Sequence, residues 1–163
     1  MTKIGTAAVA VLTSLLAACA SGPSQQAHMA NDESIIARHM VGEAMLAANF
    51  VAAAEKAGMK PAQINAVLKD IAANSAIEEF WITDAKGNAY LTNSNVKFAF
   101  SPDPKKQPQA SAFWPLLAGV KRVVVQESRK REIDNRVFKY VGVSGVDQKR
   151  IVQVGVSTDN LPK

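Results

Sequence analysis

The chain has one cysteine, Cys19, and two histidines, His28 and His39. A lone cysteine forms no disulfide within the chain, and there is no Cys-x-x-Cys-His for haem attachment. No Cys/His cluster has metal-ligand spacing, which argues against a zinc site. No serine sits in a nucleophile-elbow context. Asp84, Asp103, Asp134 and Asp147 stand among turn-forming residues and read as turn formers rather than catalysts. The chain is therefore expected to be no enzyme, with no cofactor and no metal. Internal repeats and low-complexity tracts are also missing. The net charge of +5 is modest, and the length suits one domain.

What is present begins with a leader. Lys3 precedes an apolar run from Ile4 to Ala18, too short for a comfortable membrane span and suited to a secretory signal peptide. Its ending, Leu16-Ala17-Ala18-Cys19, resembles the lipobox of bacterial lipoproteins. The resemblance implies removal of residues 1–18 and acylation of Cys19, which then holds the protein on a membrane by its lipid anchor. Ala20, not Asp, follows the cysteine, which implies the periplasmic face of the outer membrane within the cell envelope. No nucleic acid is expected as a partner there. Anionic head groups or small anionic ligands fit the charge better.

Residues 19–31 lack a hydrophobic period and read as a flexible tether containing His28. Asn31, Asp32 or Ser34 can cap a helix. Ile36, Met40, Ala44, Ala47, Val51 and Ala54, with Phe50 alongside, then predict a long amphipathic helix ended by Gly58. His39 lies in it, as a surface or packing residue. Pro61 opens a second helix carrying Ile64, Val67, Leu68, Ile71 and Ala72, ending near Asn74. Strands are expected over 78–83 and 89–92, around the turn-forming Asp84–Asn88. An irregular cover over 93–119 carries Phe98 and Phe100 and a short helix over 111–118. Three further strands are expected over 122–131, 136–146 and 151–157.

This order resembles a single Cache-type sensor domain, the extracytoplasmic relative of PAS domains. The residues carrying the resemblance are Ile77–Asn88 for the first hairpin, and Phe138–Val143 with Ile151–Val156 for the last two strands. The resemblance implies an α+β fold over 32–163, with a long N-terminal helix and a second helix packed on a five-stranded antiparallel PAS-like sheet. It also implies a small-ligand site on the opposite face, under the cover. Receptors that this domain resembles normally continue through a membrane helix into a signalling domain, whereas this chain stops at Lys163. Any signal is thus expected to pass to a separate, membrane-bound signalling protein, or there is no signal.

Side-chain alternation sorts the strands. Pairing Thr83 with Tyr90 sets Trp81 beside Thr92. A two-residue turn at Asp134-Asn135 sets Arg131 opposite Phe138 and Arg129 opposite Tyr140. A tip at Gln148-Lys149 adds Gln153, Gly155 and Ser157 to that face. Val137, Val141, Val143, Val152, Val154 and Val156 take the other. The expected ligand-binding set is Trp81, Thr83, Tyr90, Thr92, Trp114, Arg129, Arg131, Phe138 and Tyr140. Its rings would enclose an apolar part, and an arginine would hold a carboxylate. The expected function is a sensory module for a small carboxylate or amino-acid-like metabolite. The alternative is a structural or interaction lipoprotein on the same fold.

Overall fold

The computed structural model of the chain describes residues 23–131 and 134–158. The expected leader and Cys19 lie outside them. Helix α1 (Pro23–Lys56) leads to α2 (Pro61–Ala73) and a hairpin of β1 (Glu79–Thr83) and β2 (Ala89–Thr92). A 3-10 turn (Ala110–Phe113) then runs into the one-turn helix α3 (Trp114–Leu117). Strands β3 (Val123–Val125), β4 (Arg129–Lys130), β5 (Val137–Ser144) and β6 (Ile151–Ser157) complete an α+β fold. The antiparallel sheet has the order β2-β1-β6-β5-β3, with β4 also paired to β5.

α1 begins at Pro23, inside the stretch expected as a tether. Proline suits a first helical position, and Gln, Ala and Met are good helix formers. A missing apolar period removes a reason to bury those residues, not a reason for them to be helical. By length and composition alone, Ala30–Lys56 could cross a membrane. Here its stripe lies on the sheet, with Met40, Ala44, Ala47, Ala48, Val51 and Ala54 buried. Gly58, at φ +82°, ends the helix in the left-handed region that glycine adopts without strain. In α2, Gln63 Oε1 accepts the Lys60 N–H at 2.8 Å, and Ile64 and Leu68 are buried.

Strand alternation divides the core in two. The helix side joins α1 and α2 to Phe80, Ile82, Leu91, Val141, Val143, Val152, Val154 and Val156. The front joins Trp81, Phe138, Tyr140 and Ile151 to Phe100, Phe113, Leu116 and Leu117 of the cover. Phe50 and Ile71 differ from their expected core positions. Both line an open seam between the helices, where Phe50 is half-buried and Ile71 is 38% exposed.

The strand expected over 122–131 is split. Val125 pairs with Val141 but Arg129 with Phe138, which leaves one extra residue on the edge chain, as in a bulge. Inside it Gln126 is buried, and its Nε2 donates to Gln109 O at 2.8 Å. The edge hairpin closes through Arg131 N–H to Arg136 O, with Asn135 at φ +63°. Its turn is therefore longer than the two residues expected, and Arg131 does not stand opposite Phe138.

Candidate functional site

Glu79 of β1, Gly155 of β6 and Tyr140 of β5 stand side by side across the front of the sheet. A Cβ on Gly155 would lie 2.4 Å from the Tyr140 ring. Its absence lets the ring lie over β6, and the hydroxyl donates to Glu79 Oε2 at 2.8 Å. The same oxygen accepts the Trp81 indole N–H at 3.0 Å. Arg131 Nη1 bonds the other carboxylate oxygen, Oε1. Arg131 also grips Asp134 through Nε and Nη2, both at 2.5 Å. Its guanidinium lies 4.2 Å from the centroid of Phe138, whose ring stacks on Tyr140 at 5.4 Å.

The electrostatics follow from these contacts. The Arg131 hydrogen bonds hold the Asp134 carboxyl down at about 2. Burial, then the Glu79 charge, pushes the Tyr140 hydroxyl above its ordinary value. Tyr140 is thus a hydrogen-bond donor here and not a base. Trp81, Tyr140 and Arg131 together make a receptor for one carboxylate, and the carboxylate they hold is Glu79.

The cover fills most of the space above. Phe98 packs on Trp81 at 5.5 Å, Phe100 on Phe98 at 5.1 Å and Phe113 on Phe100 at 6.4 Å between ring centroids. Phe113 fits because Gly142 beneath it has no side chain; a Cβ there would lie 2.7 Å from the ring. Backbone bonds from Ala89 N–H to Phe98 O and from Phe100 N–H to Gly87 O fasten the cover to the first turn. What remains is a cavity of about 30 Å³ bounded by Trp81, Phe98, Phe100, Arg131, Tyr140 and Gln153, with Gln109 and Ala110. That is room on the scale of ordered water. Pockets for small organic ligands hold roughly 300–1,000 Å³.

Of the expected set, Trp81, Arg131, Phe138 and Tyr140 come together. Thr92 stands opposite Trp81 as expected and Trp114 packs on the same front cluster, but neither lines the remaining cavity, and Thr83, Tyr90 and Arg129 are placed elsewhere. Thr83 is buried, and its Oγ1 accepts the Ile151 N–H at 3.0 Å, tying two strands. Thr92 N–H is taken by Asn65 Oδ1 at 2.9 Å, and its own Oγ1 accepts from Ser94. Trp114 packs over Gly87 of the first turn. Arg129 is exposed at the sheet edge, opposite Phe138 rather than Tyr140. Tyr90 lies on the helix side, and its hydroxyl donates to Glu55 of α1 at 2.5 Å. The reason is a bulge at Ile82/Thr83, which sets Ala89 rather than Tyr90 opposite Thr83.

Sequence reasoning passed over three charged residues. Glu79 is the acceptor at the centre of the front site. Arg150 is 1% exposed. It donates to Glu55 at 2.7 Å, to Asp147 at 2.9 Å and to the Tyr90 hydroxyl at 2.7 Å. Burial works to raise the Glu55 carboxyl, but the bonds from Arg150, Tyr90 and Gln148 prevail and hold it below its ordinary value. Lys139, also 1% exposed, points from β5 toward α1 and bonds Glu33 at 2.9 Å. That bond holds the Glu33 carboxyl low. These two clusters pin the long helix to the sheet. Strand alternation puts Lys139 among the valines, a signal that it needs a partner.

Among the described residues, no group of three or more His, Cys, Asp or Glu side chains is placed to hold a metal ion. No family model matches the chain, and no curated protein matches it.

Proposed function

We propose that the protein is a non-enzymatic interaction domain of the cell envelope, closed on its own front face. The observation that carries this reading is the space left there, about 30 Å³ beside a carboxylate receptor already bound to Glu79. The buried cations support it as well. Arg131, Lys139 and Arg150 are each held by carboxylates of the fold, so each has a structural role. The lipobox-like ending at Cys19 supports the envelope placement. Intact mass of the mature protein tests it, since Cys19→Ser should abolish acylation.

A second reading retains the sensory module. The donors of Trp81, Tyr140 and Arg131 suit a carboxylate from outside as well as Glu79. Such a ligand would have to displace Glu79 and lift the cover. A thermal-shift titration with small carboxylates and amino acids separates the two readings. The interaction domain shows no concentration-dependent rise in Tm. A rise that is lost in Arg131→Ala would establish the sensor.

A further inference from the structure

The helix side of the domain carries a cavity that none of the preceding interactions uses. Between α1 and α2 a groove of about 370 Å³ is lined by Leu46, Ala47, Phe50, Leu68, Ile71, Ile77 and Phe80, with Glu43. Its deeper walls belong to the core, since Leu68, Ile77 and Phe80 are buried. At its rim Leu46 is 72% exposed and Ile71 is 38% exposed. The volume is within the range of ligand pockets, and an apolar wall with few polar groups is typical of them.

We propose that this groove binds the aliphatic chain of a single-chain amphiphile whose head is neutral or cationic. The inference goes beyond the reading of the front face and does not depend on it. The chain is recognised by area alone, because seven of the eight lining side chains are hydrocarbon or aromatic. The head is selected by Glu43, the only charged residue in the wall among the described residues. Burial raises its carboxyl above the ordinary value while the nearby His39 charge lowers it. A carboxylate poorly served by water gains from an ammonium or hydroxyl donor and repels an anion. Arg38 and His39 lie beyond Glu43, along the neighbouring face of α1 with Ile35, Gly42 and Leu46, and do not line the groove.

The test is calorimetric titration of the purified protein with decylamine, decanol and decanoate, each below its micelle concentration. Methyl NMR of Leu46, Leu68, Ile71 and Ile77 locates the site. Decylamine and decanol should bind and move those methyls. Decanoate should bind roughly five- to tenfold more weakly than decylamine, the combined scale of one partly exposed charge attraction gained and one repulsion avoided. Glu43→Gln should bring the two within about threefold. Leu46→Glu, on an exposed side chain that leaves the fold intact, should weaken decanol about tenfold. Absence of binding by all three compounds overturns the proposal, as does equal affinity for decanoate and decylamine in the wild type. Shifts at Trp81 and Phe98 instead would overturn the groove and reopen the front face, so the two failures are distinct. Stronger retention by neutral phospholipid vesicles than by free decanol would assign the face to a bilayer surface and overturn the single-ligand site.

Discussion

Tyr140 reaches Glu79 across the strand that lies between them, hydroxyl to carboxylate at 2.8 Å, because Gly155 puts no side chain in the way. This contact closes the front of the sheet with the chain's own carboxylate. Trp81 and Arg131 complete the same acceptor.

The Arg131–Glu79 pair is held with side chains 10% and 12% exposed. Removing one member of such a pair leaves a largely buried charge, which costs about 3 kcal/mol. Arg131→Ala should lower stability by about that amount, and Glu79→Ala by less, because Asp134 still pairs with Arg131. The double variant should cost clearly less than the sum, as chemical denaturation in a double-mutant cycle would show.

The cover depends on close packing. Phe113 is fully buried, so Phe113→Ala should cost about 3–5 kcal/mol. Gly142→Ala should cost about 1–3 kcal/mol, because the new methyl overlaps the Phe113 ring. Phe50→Ala, at a half-buried position on the helix seam, should cost less than half of the Phe113 value. Thermal unfolding of the three variants checks this order.

Lys139 is buried, whereas its partner Glu33 is 42% exposed. In Lys139→Met the released carboxylate returns to water and an apolar chain fills the site. Global stability should change by less than about 1 kcal/mol. Hydrogen exchange over residues 33–37 of α1 should nevertheless speed up, since that contact fastens this part of the helix to β5.

Much of this was legible in the sequence. Helix α1 and its stripe follow from the three- and four-residue spacing of Met40, Ala44, Ala47, Val51 and Ala54. The valine face of β5 and β6 survives a register error. Tyr140 pairs with Gly155, two residues from the expected partner, and a shift of two keeps every side chain on its face. Tyr90 was misplaced because a bulge of one residue does not keep the face. That bulge follows the Asp84 turn, where the carboxylate accepts the N–H groups of Lys86 and Asn88. The roles of Glu79, Lys139 and Arg150 rest on partners such as Arg131, Glu33 and Glu55, far away along the chain. Local pattern marks Lys139 as a residue that needs a partner, but it does not say which distant carboxylate supplies it.

Glu43 differs from the carboxylates held low by partners, because burial raises its value. A raised carboxyl contributes stability while protonated and loses it as pH climbs from the unfolded value through the folded one. Glu43→Gln should therefore be more stable than the wild type at pH 7, and the difference should vanish below about pH 4. Glu33, Glu55 and Asp134 are lowered and have the opposite sign. Their stabilisation is present above the ordinary carboxylate range and is lost as pH falls below it, for Asp134 as pH falls toward about 2. Tm measured between pH 2 and 8 on both proteins checks the two signs.

The closed front face is tested most directly by the Trp81 indole N–H, which is buried and bonded to Glu79. Its NMR resonance and hydrogen-exchange rate can be followed while small carboxylates and amino acids are added. The closed face predicts slow exchange and a resonance that stays in place throughout. A saturable shift of this signal, with exchange altered at the same ligand concentration, would mean that an outside carboxylate takes the position of Glu79.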